Sequence, residues 1–450
     1  MTNTTPDRRF RLSGVRYSAV DMRLAQRLIG LALILSFGLS FGGSISRVGA
    51  QEPRSSMLAI VAADGNVVLY DADGKNPQSI TTDAAGNVRL YQWPTWATDG
   101  RLAFFGASVD PKDPFSLAMF VVRDPTQVLT YKRAYFSLDE TFTYSYWSTG
   151  DCGSGDCRDL ALLYTPGGVS GLAVRMIRDN AGAFSHEFVD RAAPFYYSFS
   201  PDGKQMIWHR FNSKIELYDV EHNKVTSTLP DATGQFASPM WSPVDDRLLF
   251  AIQNDDPMLT DLVVAQGTDR HVIATALSGV VYFAWSPDAS KVVYMSGTGK
   301  LSVIDSTTGA EIAKAPHGNI IAQFWSPQGD KVAYLRLNRD LPGLQTRYRP
   351  NGHTAGISIQ QPTITWFVLD VATGQATSVA DFFPSQDLIY YLNFFDQFSR
   401  SHRLWSPDGR YLVYASADAD GKNRVMLADV NNPGTAITVA EGTLGIWSWQ

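Results

Sequence analysis

The phrase Trp405-Ser-Pro-Asp-Gly recurs along almost the whole chain, and no other feature limits the fold so strongly. Clear copies stand at Trp285-Ser-Pro-Asp-Ala, Trp325-Ser-Pro-Gln-Gly, Trp241-Ser-Pro-Val-Asp and Phe199-Ser-Pro-Asp-Gly, with weaker echoes at Trp96, Trp147 and Trp447. A period of roughly 40–50 residues made of strand signals denotes a repeat architecture, in which stacked units share one core. That overrides the two or three domains a chain of 450 residues would otherwise suggest.

Residues 280–315 display one unit. Four short apolar runs, at 280–285, 291–295, 301–305 and 311–314, are separated by turns. Pro presets the turn dihedral and Asp bonds its own backbone; a following Gly, as after Phe199 and Trp405, supplies positive φ. No helical periodicity is evident, and the bounded runs read as strands. The second runs, such as Lys331-Val-Ala-Tyr-Leu and Arg410-Tyr-Leu-Val-Tyr-Ala, are apolar on both sides and so need cover on both faces. Four-stranded blades stacked around an axis provide it, with each recurrent Trp filling the space between neighbours. The expected fold is an all-β propeller of eight four-stranded blades, with seven as the alternative. The chain opens on strand runs 57–62 and 66–70 that lack an inner partner, and closes on Leu444-Gly-Ile-Trp, which lacks outer ones. Joining the two would close the ring and leave no unpaired edge.

Residues 1–50 read as an export leader: Arg23 and Arg27, an apolar run from Leu28 to Gly43, and small residues before Gln51. Met22 is the expected true start, and 51–450 the single propeller domain. The apolar run, at about 16 residues, is short for a permanent span, so no stable membrane span is expected after cleavage. Removing this leader takes the formal charge from −6 to −11. So acidic a chain has no electrostatic footprint for nucleic acid. The two cysteines, Cys152 and Cys157, flank a Gly-rich loop and are expected to form a disulfide in an oxidising compartment: periplasm, cell surface or exterior.

The phrase Phe/Trp-Ser-Pro-Asp-Gly-Lys, with an apolar strand after it, resembles the WD40-like propeller repeat of the TolB family. That family includes the propeller portions of prolyl oligopeptidase-like enzymes. Leu69-Tyr-Asp-Ala-Asp-Gly-Lys-Asn-Pro is similar to the family's third-to-fourth strand hairpin. The resemblance implies a propeller but spans scaffolds, partner-binding surfaces and lids alike. The α/β domain ahead of the TolB propeller has no counterpart after Gln51.

Enzyme signatures are sparse. Gly168-Val-Ser170-Gly171 lacks the spacing of a nucleophile elbow, and His186-Glu187 has no second His at helical spacing. The segments Asp71-Ala-Asp-Gly-Lys-Asn and Asp418-Ala-Asp-Gly-Lys-Asn lack the distal Glu of a calcium loop and read as hairpin turns. The inner strands carry no carboxylate, which argues against an axial metal or acid–base pair. The expectation is therefore no catalytic residue, no metal and no cofactor. The span from Trp325 to Trp405 is twice the unit length and holds insertions at 338–362 and 381–398, both projecting on one face. Arg347, Tyr348, Arg349, Phe383, Tyr390, Tyr391, Phe394 and Phe395 are the candidate partner-binding residues there; the alternative is that the Phe and Tyr fold down and plug the channel mouth. The expected function is a monomeric, non-catalytic scaffold binding a protein or glycan. The alternatives are a propeller lyase or hydrolase using that face, or a TolB-type envelope assembly factor.

Overall fold

The computed structural model describes residues 56–449, apart from 114, 127–129, 154, 298, 339–362 and 419. The leader 1–50, the start at Met22, and Arg347, Tyr348 and Arg349 lie outside the described residues.

Hydrogen-bonded ladders group the strands into seven sheets, the lower of the two counts that the sequence allowed. Six sheets have four strands each, spanning 89–137, 141–192, 195–228, 240–278, 282–314 and 320–382, and every neighbouring pair within them is antiparallel. The seventh has six strands, because Ala436–Trp447 serves twice: 436–441 pairs with Asn423–Asp429, while 442–447 pairs with Met57–Ala62. The last two repeats of the sequence thus share one continuous strand, which is why eight Trp-marked repeats occupy seven sheets. Leu58 faces Trp447 and Val61 faces Leu444 in this ladder, so the chain's ends close the ring as the sequence pattern required.

Three copies of the repeated phrase build the same side-chain-locked turn. The Ser286 hydroxyl donates to Asp288 at 2.6 Å and accepts the Lys291 amide at 2.9 Å; Ser200 and Ser406 do likewise with Asp202 and Asp408. Gly203 and Gly409 take φ near 70°, and Ala289 is held at 54° in the equivalent place. An alanine accepting the left-handed region shows that the surrounding turn, and not the residue, sets the conformation. The tryptophans do stitch neighbours together. The Trp147 indole N–H donates to the Thr95 carbonyl, Trp325 to Ala284, Trp405 to Phe324 and Trp96 to Ile446, all at 3.1–3.2 Å.

The two Asp-Ala-Asp-Gly segments are hairpin turns, with Asp73 and Asp418 accepting the amides of Lys75 and Lys422. One expectation fails: helix is present. Gln386–Asn393 forms α1 and Phe395–Phe398 forms α2, inside the insertion read as a projecting loop. No helix among the described residues is long and apolar enough to cross a membrane.

Candidate functional site: a plugged axial channel

Residues 385–402 fill the axis of the ring. Ser385 caps α1, its side chain accepting the Leu388 amide at 3.2 Å, and its hydroxyl also donates to the Thr443 carbonyl on the closing strand. From there Leu388, Tyr391, Phe395, Phe398 and His402 follow at steps of three and four residues, and all are at most 4% exposed. That spacing puts them on one side of a helical path. Burying four such apolar side chains contributes about 1.5–3 kcal/mol each, as an upper range.

The plug touches the first strand of nearly every sheet. Phe398 packs on Tyr144 at 4.9 Å and on Trp93 at 5.1 Å between ring centroids. Phe395 meets Tyr282 and Phe324 at 5.0 and 6.1 Å. Trp93 itself sits at φ 55°, where the pairing of its strand slips between Gln92 and Thr95. A bulky residue in that region costs on the order of 1–3 kcal/mol and persists only when its surroundings demand it. Here the indole also packs against Tyr390, tilted, at 5.3 Å between ring centroids.

Polar contacts fix the remaining side. The Gln397 side chain accepts the Tyr197 amide and the Ser238 hydroxyl and donates to the Tyr197 carbonyl at 2.9–3.2 Å. Arg400 donates to the carbonyls of Tyr197 and Ser238. Asp396 is 8% exposed. Burial pushes its carboxyl up to about 6, opposed by the Arg400 charge and by the amides of Gln397 and Ser238. Desolvation raises the phenols of Tyr196 and Tyr282, and the Asp396 charge adds to it. The plug therefore brings a titratable carboxylate into a channel whose walls lack one. Reading the inner strands alone missed it.

Ser401 and His402 look reactive on paper and are not arranged for it. Ser401 donates to the Tyr144 oxygen at 2.9 Å and lies 2.6 Å from His402 Nδ1; His402 Nε2 is 2.9 Å from the Thr95 hydroxyl. The set is satisfied with the imidazole neutral and its proton assigned to Nδ1, so the ring donates to Ser401 and cannot take its proton. Burial holds the His402 pKa down at about 3. Neither residue is more than 1% exposed. Among the described residues, no three His, Cys, Asp or Glu side chains converge as metal ligands.

The candidate partner-binding residues divide accordingly. Phe383 is 40% exposed at the channel mouth. Tyr391 and Phe395 are buried, and Tyr390 and Phe394 are half-buried against the core, so they pack the channel instead of presenting a surface. This is the plugging alternative that the sequence left open; the Ser385 cap and the three-and-four spacing after it are the signals for its helical form.

The two faces of the ring differ. Val109, Val169, Phe211 and Met258 are exposed on connections between second and third strands, and Val88, Leu138, Val280 and Phe383 on connections between sheets. Both sets emerge at the end where the plug enters. The opposite face has Val244 as its exposed large apolar residue among those described. Cys152 and Cys157, on that opposite face, are joined by a disulfide with Cα atoms 5.2 Å apart.

No family model matches the chain. A curated probable dipeptidyl peptidase 4 of Trichophyton verrucosum is 22% identical over 228 residues, covering 44% of this chain and 26% of that protein. The dipeptidyl peptidase 4 of Trichophyton tonsurans matches over the same shares, and a probable one from Aspergillus flavus is 24% identical over 278 residues, or 56% and 31%. The matched region is thus about a quarter of these relatives' length. Among solved structures, a prolyl endopeptidase aligns with a TM-score of 0.50 at 11% identity, over 80% of this chain and 50% of that one, which is a likeness of fold. The expectations of a non-catalytic scaffold and of no enzyme activity are overturned here, since the curated relatives are peptidases.

Proposed function

We propose that this chain forms the propeller part of a peptide-hydrolysing enzyme of the dipeptidyl peptidase type. The observation that carries the reading is the match to curated dipeptidyl peptidases across roughly half of this chain. The site's geometry supports the following division of roles. Because 385–402 occupies the axis, a peptide does not thread through the ring. It meets the face at which the plug enters, where the exposed apolar loops can take its side chains. The hydrolytic groups lie outside the buried Ser401–His402 set.

We also place the protein outside the cytoplasm, on the strength of the leader pattern and the Cys152–Cys157 disulfide. The TolB-like wording of the repeat belongs to this same proposal as the propeller lineage.

The experiment is a dipeptidyl-anilide assay on the full chain purified from its source, paired with titration of a non-hydrolysed peptide followed by tryptophan fluorescence. The reading expects saturable peptide binding that weakens several-fold when Phe211 and Phe383 are replaced by Ser. Neither binding nor hydrolysis in either assay would remove it.

A further inference from the structure

On the face opposite the plug, an ion cluster joins the 89–137 sheet to the 141–192 sheet. Asp99 lies 3.7 Å from Arg101 and 3.1 Å from Arg158; Asp179 lies 3.5 Å from Arg101 and 3.1 Å from Arg123. Asp156 supplies the third carboxylate, 3.1 Å from Arg101 and also paired with Arg123. Three guanidinium groups thus meet three carboxylates. The side chains of Arg101 and Asp179 are 5% and 1% exposed, whereas Asp156 is 60% exposed. Arg101 Nη1 is buried without a hydrogen-bond partner, so this cation already runs short of acceptors.

Asp156 reaches the cluster from the loop that Cys152 and Cys157 close. Its carbonyl accepts the Ala181 amide at 3.0 Å and Arg123 Nη2 at 3.4 Å, and the Cys152 amide bonds the Cys157 carbonyl at 3.3 Å. The loop holds Gly153 at φ 105° and Gly155, residues that leave an unrestrained loop free to wander. Without the cross-link, ordering Asp156 would cost about 1–2 kcal/mol of backbone entropy per fixed residue. Without Asp156, two guanidinium groups, one nearly fully buried, would be left one carboxylate short, an expensive state.

We propose that the Cys152–Cys157 disulfide is a redox-set clip: it holds Asp156 as the third carboxylate of the cluster, and its reduction loosens the junction between these two sheets. The step is a thiol–disulfide exchange. Two equivalents of an external thiol are oxidised to a disulfide, and Cys152 and Cys157 each end as a protonated thiol. Cys157 is buried and Cys152 half-buried, so a thiolate would attack at Cys152. The clip belongs to the fold and operates whatever the enzyme's chemistry.

Hydrogen exchange on the full chain tests it, read at the amides of Ala181 and Gly182, which bond the Asp156 carbonyl and the Asp179 carboxylate. Treatment with dithiothreitol is expected to speed exchange there about tenfold while the 282–314 sheet is unchanged. The Cys152→Ser/Cys157→Ser chain should match the reduced protein and ignore dithiothreitol. Asp156→Asn in the oxidised chain should give the same acceleration, and combining it with the double serine change should add nothing further. Unchanged exchange on reduction, free thiols in the untreated protein, or effects of the two changes that multiply independently would each overturn the proposal.

Discussion

The blades and the plug solve one problem, filling the space inside a ring, by opposite means. Each blade repeats one phrase, and in four copies its Trp, at 96, 147, 325 or 405, bonds a backbone carbonyl of the neighbouring sheet. The plug occurs once, fills the axis and reaches the first strands of many sheets through different contacts: aromatic rings on one side, Gln397 and Arg400 on the other. The repeated element can lose one copy and keep its neighbours. The single element has no second copy to compensate.

Phe398→Ala should therefore be the most costly change, lowering stability by about 3–5 kcal/mol as ring contacts with Tyr144, Trp93 and Tyr391 are lost to a cavity. Urea denaturation measures it. A loss below about 1 kcal/mol would mean the plug is loosely seated and the contrast with the blades is false.

The next effect is pH-dependent and belongs to the plug. Asp396 has a folded pKa of about 6 against 3.8 in the unfolded chain. Its stabilisation is full below pH 4 and is lost as pH rises to 6. His402, at about 3 against 6.5, has the opposite sign and loses stability as pH falls from 6.5 towards 3. Between pH 4 and 6 the slopes of these two groups oppose each other and largely cancel. Asp396→Asn should unmask the histidine, giving stability that rises with pH and a gain of about 2–3 kcal/mol at pH 7. Denaturation midpoints across pH 4–7 check this; parallel curves for the two chains would contradict it.

Trp405→Phe, in a blade, should cost least, about 1 kcal/mol for the indole bond to the Phe324 carbonyl, with most of the packing retained. A cost equal to that of Phe398→Ala would erase the distinction between the two regions.

The same contrast explains what could be read in advance. Repetition made the walls legible: five copies of the turn phrase gave strand positions, inter-sheet tryptophans and the pairing of 57–62 with 442–447. The fused end strand, which turns eight repeats into seven sheets, depends on 436–447 remaining unbroken, and a strand signal does not show that. The plug was legible only in part. Its aromatics were seen, but a run such as Ile389-Tyr-Tyr-Leu-Asn-Phe-Phe fits an exposed loop as readily as a buried helix until Ser385 is recognised as a cap. Asp396 was missed because it enters the channel from an insertion and not from a strand. The likeness to curated peptidases was legible only through the repeat phrase, which resembles the propeller portions of prolyl oligopeptidase-like enzymes; among the described residues, the paired Ser401 and His402 are locked in a buried, neutral network.

An electron-density or cryo-EM map of the oxidised full chain tests the filled axis most directly. The account predicts helical density for 386–393 and 395–398 inside the channel, with Gln397 bonded to Tyr197 and Ser238. An open, water-filled channel with that segment lying on the outer surface would contradict it.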